Sequence, residues 1–216
     1  MKTFKNFRNS TLFIFLTFLA ISVNAEPGKG KIYLSISHEV ADYTIWKTGF
    51  DEHSSVRKEA GIKDIFARKD IHNGNAVTAF FEVKDLDKAN AFLSNPELKE
   101  AMDKAGVTSA PAIVFYKSAN EYEAINTSGL VTTVSHSVKD FSAWKSVYDS
   151  ADELRKNAGI KDHLLLRSLS DENVVTVLGT VSSAAKFHEF MSNPDLKGAM
   201  EKGGVISEPV VKVLLQ

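Results

Sequence analysis

Two histidines, His38 and His136, stand 98 residues apart inside nearly the same run of residues: SHEVADYTIWKTGFDE begins at Ser37 and SHSVKDFSAWKSVYDS at Ser135. Each lies where an apolar, strand-like segment gives way to a helix. An imidazole there can reach a pocket mouth and act as acid, base or ligand. It can equally hydrogen-bond the following turn and cap the helix start. Downstream, Trp46, Phe50, His53 and Arg57 follow at four- and three-residue spacing, which places them on one helical stripe. The second copy carries Trp144, Tyr148, Ala151 and Arg155 at the same places. Aromatic rings at this spacing build either a core or a platform for a ligand. A guanidinium on an inward stripe needs a partner if it is buried, although a cation in the last helical turn also complements the helix dipole and can snorkel to water. His38 and His136 are therefore the candidates for acid–base chemistry. The stripe residues Trp46, Phe50, His53, Arg57, Trp144, Tyr148 and Arg155 are the candidates to line or gate a binding pocket.

Other chemistry is poorly provided for. The chain has no cysteine, which removes disulfides, thiolate nucleophiles and Cys-ligated metals together. Of the six histidines only His38 and His136 recur; His53, His72, His163 and His188 correspond to Ala151, Ser170, Ile65 and Asn90. No HxH or HExxH pattern is present, so no metal site is expected. Neither a glycine-rich phosphate loop nor a serine nucleophile elbow is visible, and no cofactor is expected. A formal charge of −1 without a long Lys/Arg run argues against nucleic acid as a partner.

The first 25 residues differ from the rest. Lys2, Lys5 and Arg8 precede the apolar run TLFIFLTFLAISV, and the small-residue sequence VNA follows, in the order of a secretory signal cleaved after Ala25. About 13 apolar residues fall short of the roughly 20 that span a bilayer as a helix. Export to the periplasm or medium is expected, without stable membrane insertion once the leader is gone. Losing three cations and no acids takes the formal charge from −1 to about −4.

The elements that would position the candidate residues are written twice. With a shift of 98, residues 31–118 align on 129–216 without a gap, and about a third of the positions are identical. Each unit reads strand, helix, strand, strand, helix, strand. KIYLSIS suits a first strand. Asp42 is placed to cap a helix and Gly61 to stop it. IKDIFARKD and AVTAFFEV are two strands joined through IHNGN, whose Asn-Gly pair signals a hairpin; Asp171 and Glu172 replace that pair and predict a different turn in the second copy. A second helix is interrupted at Asn95 and Pro96, cap and first residue of a new turn. APAIVFYK and EPVVKVLLQ close the units. The expected organisation is a leader at 1–25, repeats at 31–117 and 129–216, and a linker at 118–128.

The strands AFF, AIVFY and VVTVL are apolar on successive positions, so both faces of each sheet must be covered. Two helices per unit cover one face. The sheet of the sister repeat covers the other. The element order, with SHEVADYTIWKTGFDE, AGIKDIFARKD and FLSNPELKEAMDKAGV, resembles the dimeric α+β barrel superfamily, which includes antibiotic-biosynthesis monooxygenase-like proteins. The resemblance covers nearly all the chain after residue 30, once per repeat. It implies an α+β fold of tandem ferredoxin-like βαββαβ units, with antiparallel sheets packed face to face as an intramolecular pseudo-dimer, hence a monomer. That superfamily holds cofactor-free oxygenases, isomerases, haem enzymes and proteins with no known reaction. Three functions fit this sequence: binding of a small apolar or aromatic ligand between sheet and helices, cofactor-free oxygenation or isomerisation with His38 or His136 as base, and a non-catalytic structural or stress-related role. The first half, with His38 and His53, is the expected seat of any acid–base chemistry.

Overall fold

The computed structural model describes residues 30–216; the expected leader lies outside the described residues. The first repeat runs β1 (Ile32–Glu39), α1 (Tyr43–Glu52), α2 (Ser54–Glu59), β2 (Ile62–Asp70), β3 (Ala76–Val83), α3 (Leu86–Leu93), α4 (Pro96–Lys104) and β4 (Ala112–Glu121). The second repeats this order as β5 (Leu130–Ser137), α5 (Phe141–Ser150), α6 (Asp152–Asn157), β6 (Ile160–Ser168), β7 (Val174–Val181), α7 (Ala184–Met191), α8 (Pro194–Lys202) and β8 (Val210–Leu215).

Local chemistry sets the helix ends. Asp42 accepts a hydrogen bond from the Ile45 amide at 2.9 Å and Asp140 from Ala143 at 2.7 Å, each satisfying a donor that the first turn leaves free. Asn95 and Asn193 cap α4 and α8 ahead of Pro96 and Pro194. Gly61 and Gly159 leave the helices with φ of 71° and 74°, a left-handed conformation that glycine adopts without a Cβ penalty. The first helix of each repeat, expected to be continuous, breaks at His53 and at Ala151 into two segments.

The eight strands form one closed antiparallel barrel in the order β1-β3-β2-β8-β5-β7-β6-β4. The two sheets therefore do more than face each other, because their edges pair. Closure leaves no open edge for another chain to pair with. The two seams are unequal. β4 pairs with β6 from Tyr116↔Ser168 to Glu121↔Leu164, whereas β2 and β8 share only Lys69↔Leu215 and Asp70↔Leu214. The longer seam uses Ser118–Glu121, which the sequence assigned to the linker. Near the shorter one, the buried Arg68 guanidinium donates to the carbonyls of Thr127 and Gly129, holding the segment that leads into β5.

Alternation along each strand sorts the side chains. Tyr33, Phe66, Phe80 and Tyr116 meet Val131, Leu164, Leu166, Leu178 and Leu214 inside the barrel. The opposite faces carry Leu34, Ala79 and Phe81 in one repeat and Ile160, Val181 and Val213 in the other, each under its own helices. The hairpin turns are alike, contrary to the expectation of two turn types. The Ala76 amide donates to the Asn73 carbonyl and the Val174 amide to Asp171, both at 2.9 Å. Asn73 and Asp171 side chains each accept from the amide two residues on, and Gly74 needs no positive φ. An Asx-type turn accepts Asn or Asp equally, so losing the Asn-Gly pair changes nothing.

Candidate functional site

His38 is the penultimate residue of β1, opposite Val77, and points under the helices. A continuous stack begins there: His38 meets Trp46 edge-on with centroids 5.6 Å apart, Trp46 meets Phe50 at 5.2 Å, and the Arg57 guanidinium lies 3.7 Å over the Phe50 ring. The second half builds the same series from His136, Trp144, Tyr148 and Arg155 at 5.4, 4.9 and 3.7 Å. The sequence stripe is thus one physical object in each repeat. It continues across the helix break at His53, because the carbonyl of Gly49 accepts a hydrogen bond from His53 Nδ1 at 2.9 Å and holds that ring in place.

The arginines act as clamps. Arg57 Nε and Nη2 each donate to Asp64 at 2.7 Å, and Nη1 donates to the Phe50 carbonyl at 2.6 Å. Arg155 Nε donates to Asp162 at 2.8 Å and Nη1 to the Tyr148 carbonyl at 2.6 Å, while the Tyr148 hydroxyl also donates to Asp162 at 2.7 Å. Burial and the neighbouring Asp162 charge push the Tyr148 phenol up. These pairs tie the end of one helix to the start of the next strand. Asp64 and Asp162 were not singled out from the sequence, although the recurring seven-residue spacing from arginine to aspartate was a signal for them.

The histidines depart from the capping expectation. Neither ring nitrogen of His38 or His136 has a hydrogen-bond partner in the protein, and the residues are only 9% and 5% exposed. They do not cap the following turn. Desolvation lowers both imidazoles to about 4, so each is neutral at neutral pH.

The spaces around the two stacks are unequal. In the first half a cavity of about 850 Å³ is lined by His38, Trp46, Phe50, His53, Phe81, Phe92 and Met102, among other mostly apolar groups. The equivalent space in the second half measures about 80 Å³. The two linings differ at several positions. Phe187 of α7, 1% exposed, replaces Ala89 of α3, while Gly179 below it replaces Phe81; Val147 and Val177 replace Gly49 and Ala79. Thr132, Val134 and Ala151 are in turn smaller than Leu34, Ile36 and His53, so side-chain bulk alone does not set the difference, and the helices also sit differently. α5 packs along α8. α1 and α4 instead flank a groove bordered by Ile45, His53, Glu97 and Lys104. His38 and His53 line the same cavity. The Ala89/Phe187 and Phe81/Gly179 differences were readable by comparing the repeats position by position, but their effect on volume needed the fold.

Neither family models nor curated protein sequences match this chain. Solved structures do share its fold. An anthrone oxidase-like protein superposes with a TM-score of 0.62 at 10% identity, over 86% of this chain and 92% of its own. A candidate monooxygenase from Lactobacillus acidophilus NCFM gives 0.58 at 12% identity, over 87% and 94%. A monooxygenase-like protein from Listeria innocua gives 0.50 at 11%, over 87% and 95%. At these identities the likeness is one of fold. The chain shares the fold of these proteins and builds it from two tandem ferredoxin-like βαββαβ units. No helix among the described residues is long and apolar enough to cross a membrane.

Proposed function

We propose that the protein is exported and binds one small, largely apolar or aromatic molecule per chain, in the cavity between the first sheet and its helices. The observation that carries this is the contrast between about 850 Å³ beside Trp46 and about 80 Å³ beside Trp144. A drug-sized ligand needs several hundred Å³ of mostly apolar, concave space, and only the larger cavity has it. Trp46 and Phe50 supply a flat wall for an aromatic ligand. The second half serves as scaffold, which a fused chain can accept and a dimer of identical subunits cannot. Native mass spectrometry of the protein as purified tests the proposal. One bound small molecule per chain is expected, with its occupancy lowered when Gly49→Val and Ala79→Val place the second-half residues in the cavity wall; unchanged occupancy in that variant overturns the assignment.

A second function is favoured by the state of His38. His38 lines the cavity with no protein partner on its ring nitrogens; burial disfavours the imidazolium, so a proton taken from a bound substrate would be held there by the substrate anion left beside it, the ion pair that cofactor-free oxygenation or isomerisation would form. Neighbours of the fold described as oxidase-like and monooxygenase-like agree with that chemistry. Oxygen uptake with the copurified molecule, lost in His38→Ala and kept in His136→Ala, is its expected outcome.

A further inference from the structure

The barrel interior, on the sheet face away from the cavity, holds a lysine in the second half where the first has valine: Lys212 of β8 corresponds to Val114 of β4. Its side chain reaches the other repeat. Nζ donates to Ser37 Oγ at 2.6 Å and lies 3.3 Å from Thr78 Oγ1, and these two hydroxyls are 2.9 Å apart. The sister pair, Ser135 and Thr176 at 2.8 Å, forms with Val114 in place of an amine. The lysine is therefore no requirement of the architecture.

Its surroundings are unusual for an ammonium. No ion pair among the described residues includes Lys212. Asp70, from β2, is the acid whose charge it feels, and that carboxylate already accepts the amides of His72 and Asn73. From β1 and β3 the amine faces only the hydroxyls of Ser37 and Thr78. Burial draws the amine below the usual lysine range, with Asp70 opposing. Lys212 and Ser37 are both partly exposed, so a small molecule can reach them. A desolvated amine without a counter-charge is the type of lysine that forms Schiff bases.

We propose that Lys212 is a reactive-amine site that captures small aldehydes as an imine, with Ser37 relaying the proton. The free Nζ attacks the carbonyl carbon, a C–N bond forms, and the carbonyl oxygen takes a proton. Ser37 Oγ receives the proton leaving Nζ and hands it to that oxygen. The carbinolamine then expels the oxygen as water, so one amine and one aldehyde give one imine and one water, with no oxidant or reductant consumed. The site lies on the opposite sheet face from the cavity and does not depend on the ligand proposed there.

Reductive trapping tests it. The full chain is treated briefly with acetaldehyde and sodium cyanoborohydride at pH 7, digested, and mapped by mass spectrometry. Lys212 is expected to be ethylated on the order of tenfold faster than the exposed lysines. Ser37→Ala should slow Lys212 several-fold and leave the other lysines unchanged. Lys212→Val, which copies the sister position, should remove that product alone. Modification of Lys212 no faster than that of the exposed lysines overturns the proposal, as does an unchanged Lys212 rate in Ser37→Ala.

Discussion

Ala89 and Phe187 occupy the same position in the two repeats: Ala89 packs in the core with Phe81, whereas the ring of Phe187 packs with Ile160 and Phe190 in the half where Gly179 stands in place of Phe81. The large ring thus moves from the strand β3 in the first half to the helix α7 in the second. Truncating Phe187→Ala should cost about 3–5 kcal/mol, the usual range for removing a buried ring. It should also create a second site for small apolar molecules, since a dry cavity of that kind takes up xenon or benzene. Urea unfolding and xenon-derivatised crystals check the two parts. A cost near zero, or no second xenon position, would contradict this packing.

The two arginine clamps should differ in strength. Asp162 is 10% exposed at its side chain and serves both Arg155 and Tyr148, whereas Asp64 is 37% exposed. Breaking a buried pair strands a charge, while solvent screens the more exposed one. Asp162→Asn should therefore cost about 3 kcal/mol and Asp64→Asn about 1 kcal/mol. Denaturant midpoints of the two variants give the order directly; the reverse order is incompatible with the geometry.

Acid should weaken the fold through the paired histidines. Both have folded-state values of about 4, below the ordinary imidazole value of 6.5. As pH falls, the unfolded chain takes up these protons first. Stability from this source is complete above pH 6.5 and declines through the window from 6.5 to 4, by up to about 3 kcal/mol for each histidine. The double variant His38→Leu, His136→Leu should show a flatter pH dependence between pH 7.5 and 4.5 and no loss of stability at pH 7.5. An unchanged slope would assign the acid sensitivity to other groups.

Export has its own measurement. Sequencing the N-terminus of the protein recovered from its native host should begin at Glu26, the residue after VNA. Protein beginning at Met1 would mean that the segment is not removed.

Much of the fold was legible because the information is local and written twice. Asp42, Gly61, Asn95 and Pro96 act within a turn of their own positions, and the ungapped shift of 98 showed that each sheet has a sister. The stripe of Trp46, Phe50 and Arg57 was visible for the same reason: helical spacing alone brings those residues together. What escaped depends on residues far apart in the chain. The hairpin turn was misjudged because the Asx bond of Asn73 matters there and the flexibility of Gly74 does not. The solitude of His38 follows from what surrounds it, which no spacing records. Lys212 sits in the run VVKVLL, whose alternation places it inside the barrel, but its partners Ser37 and Thr78 belong to the other repeat. Cavity volume is the least local property of all, since it sums Gly49, Ala79, Phe81 and Met102 over three elements.

Tryptophan fluorescence offers the most direct measurement of the central claim, because each candidate pocket has one tryptophan on its wall. Two single variants, Trp46→Phe and Trp144→Phe, isolate the two signals, and a neutral aromatic probe such as 2-naphthol is titrated into each. With Trp144→Phe, the remaining Trp46 emission should be quenched to saturation at one equivalent of bound probe, while Trp144 emission in the Trp46→Phe variant stays unchanged. Equal quenching of the two tryptophans, or quenching of Trp144 alone, would contradict a binding site confined to the first half.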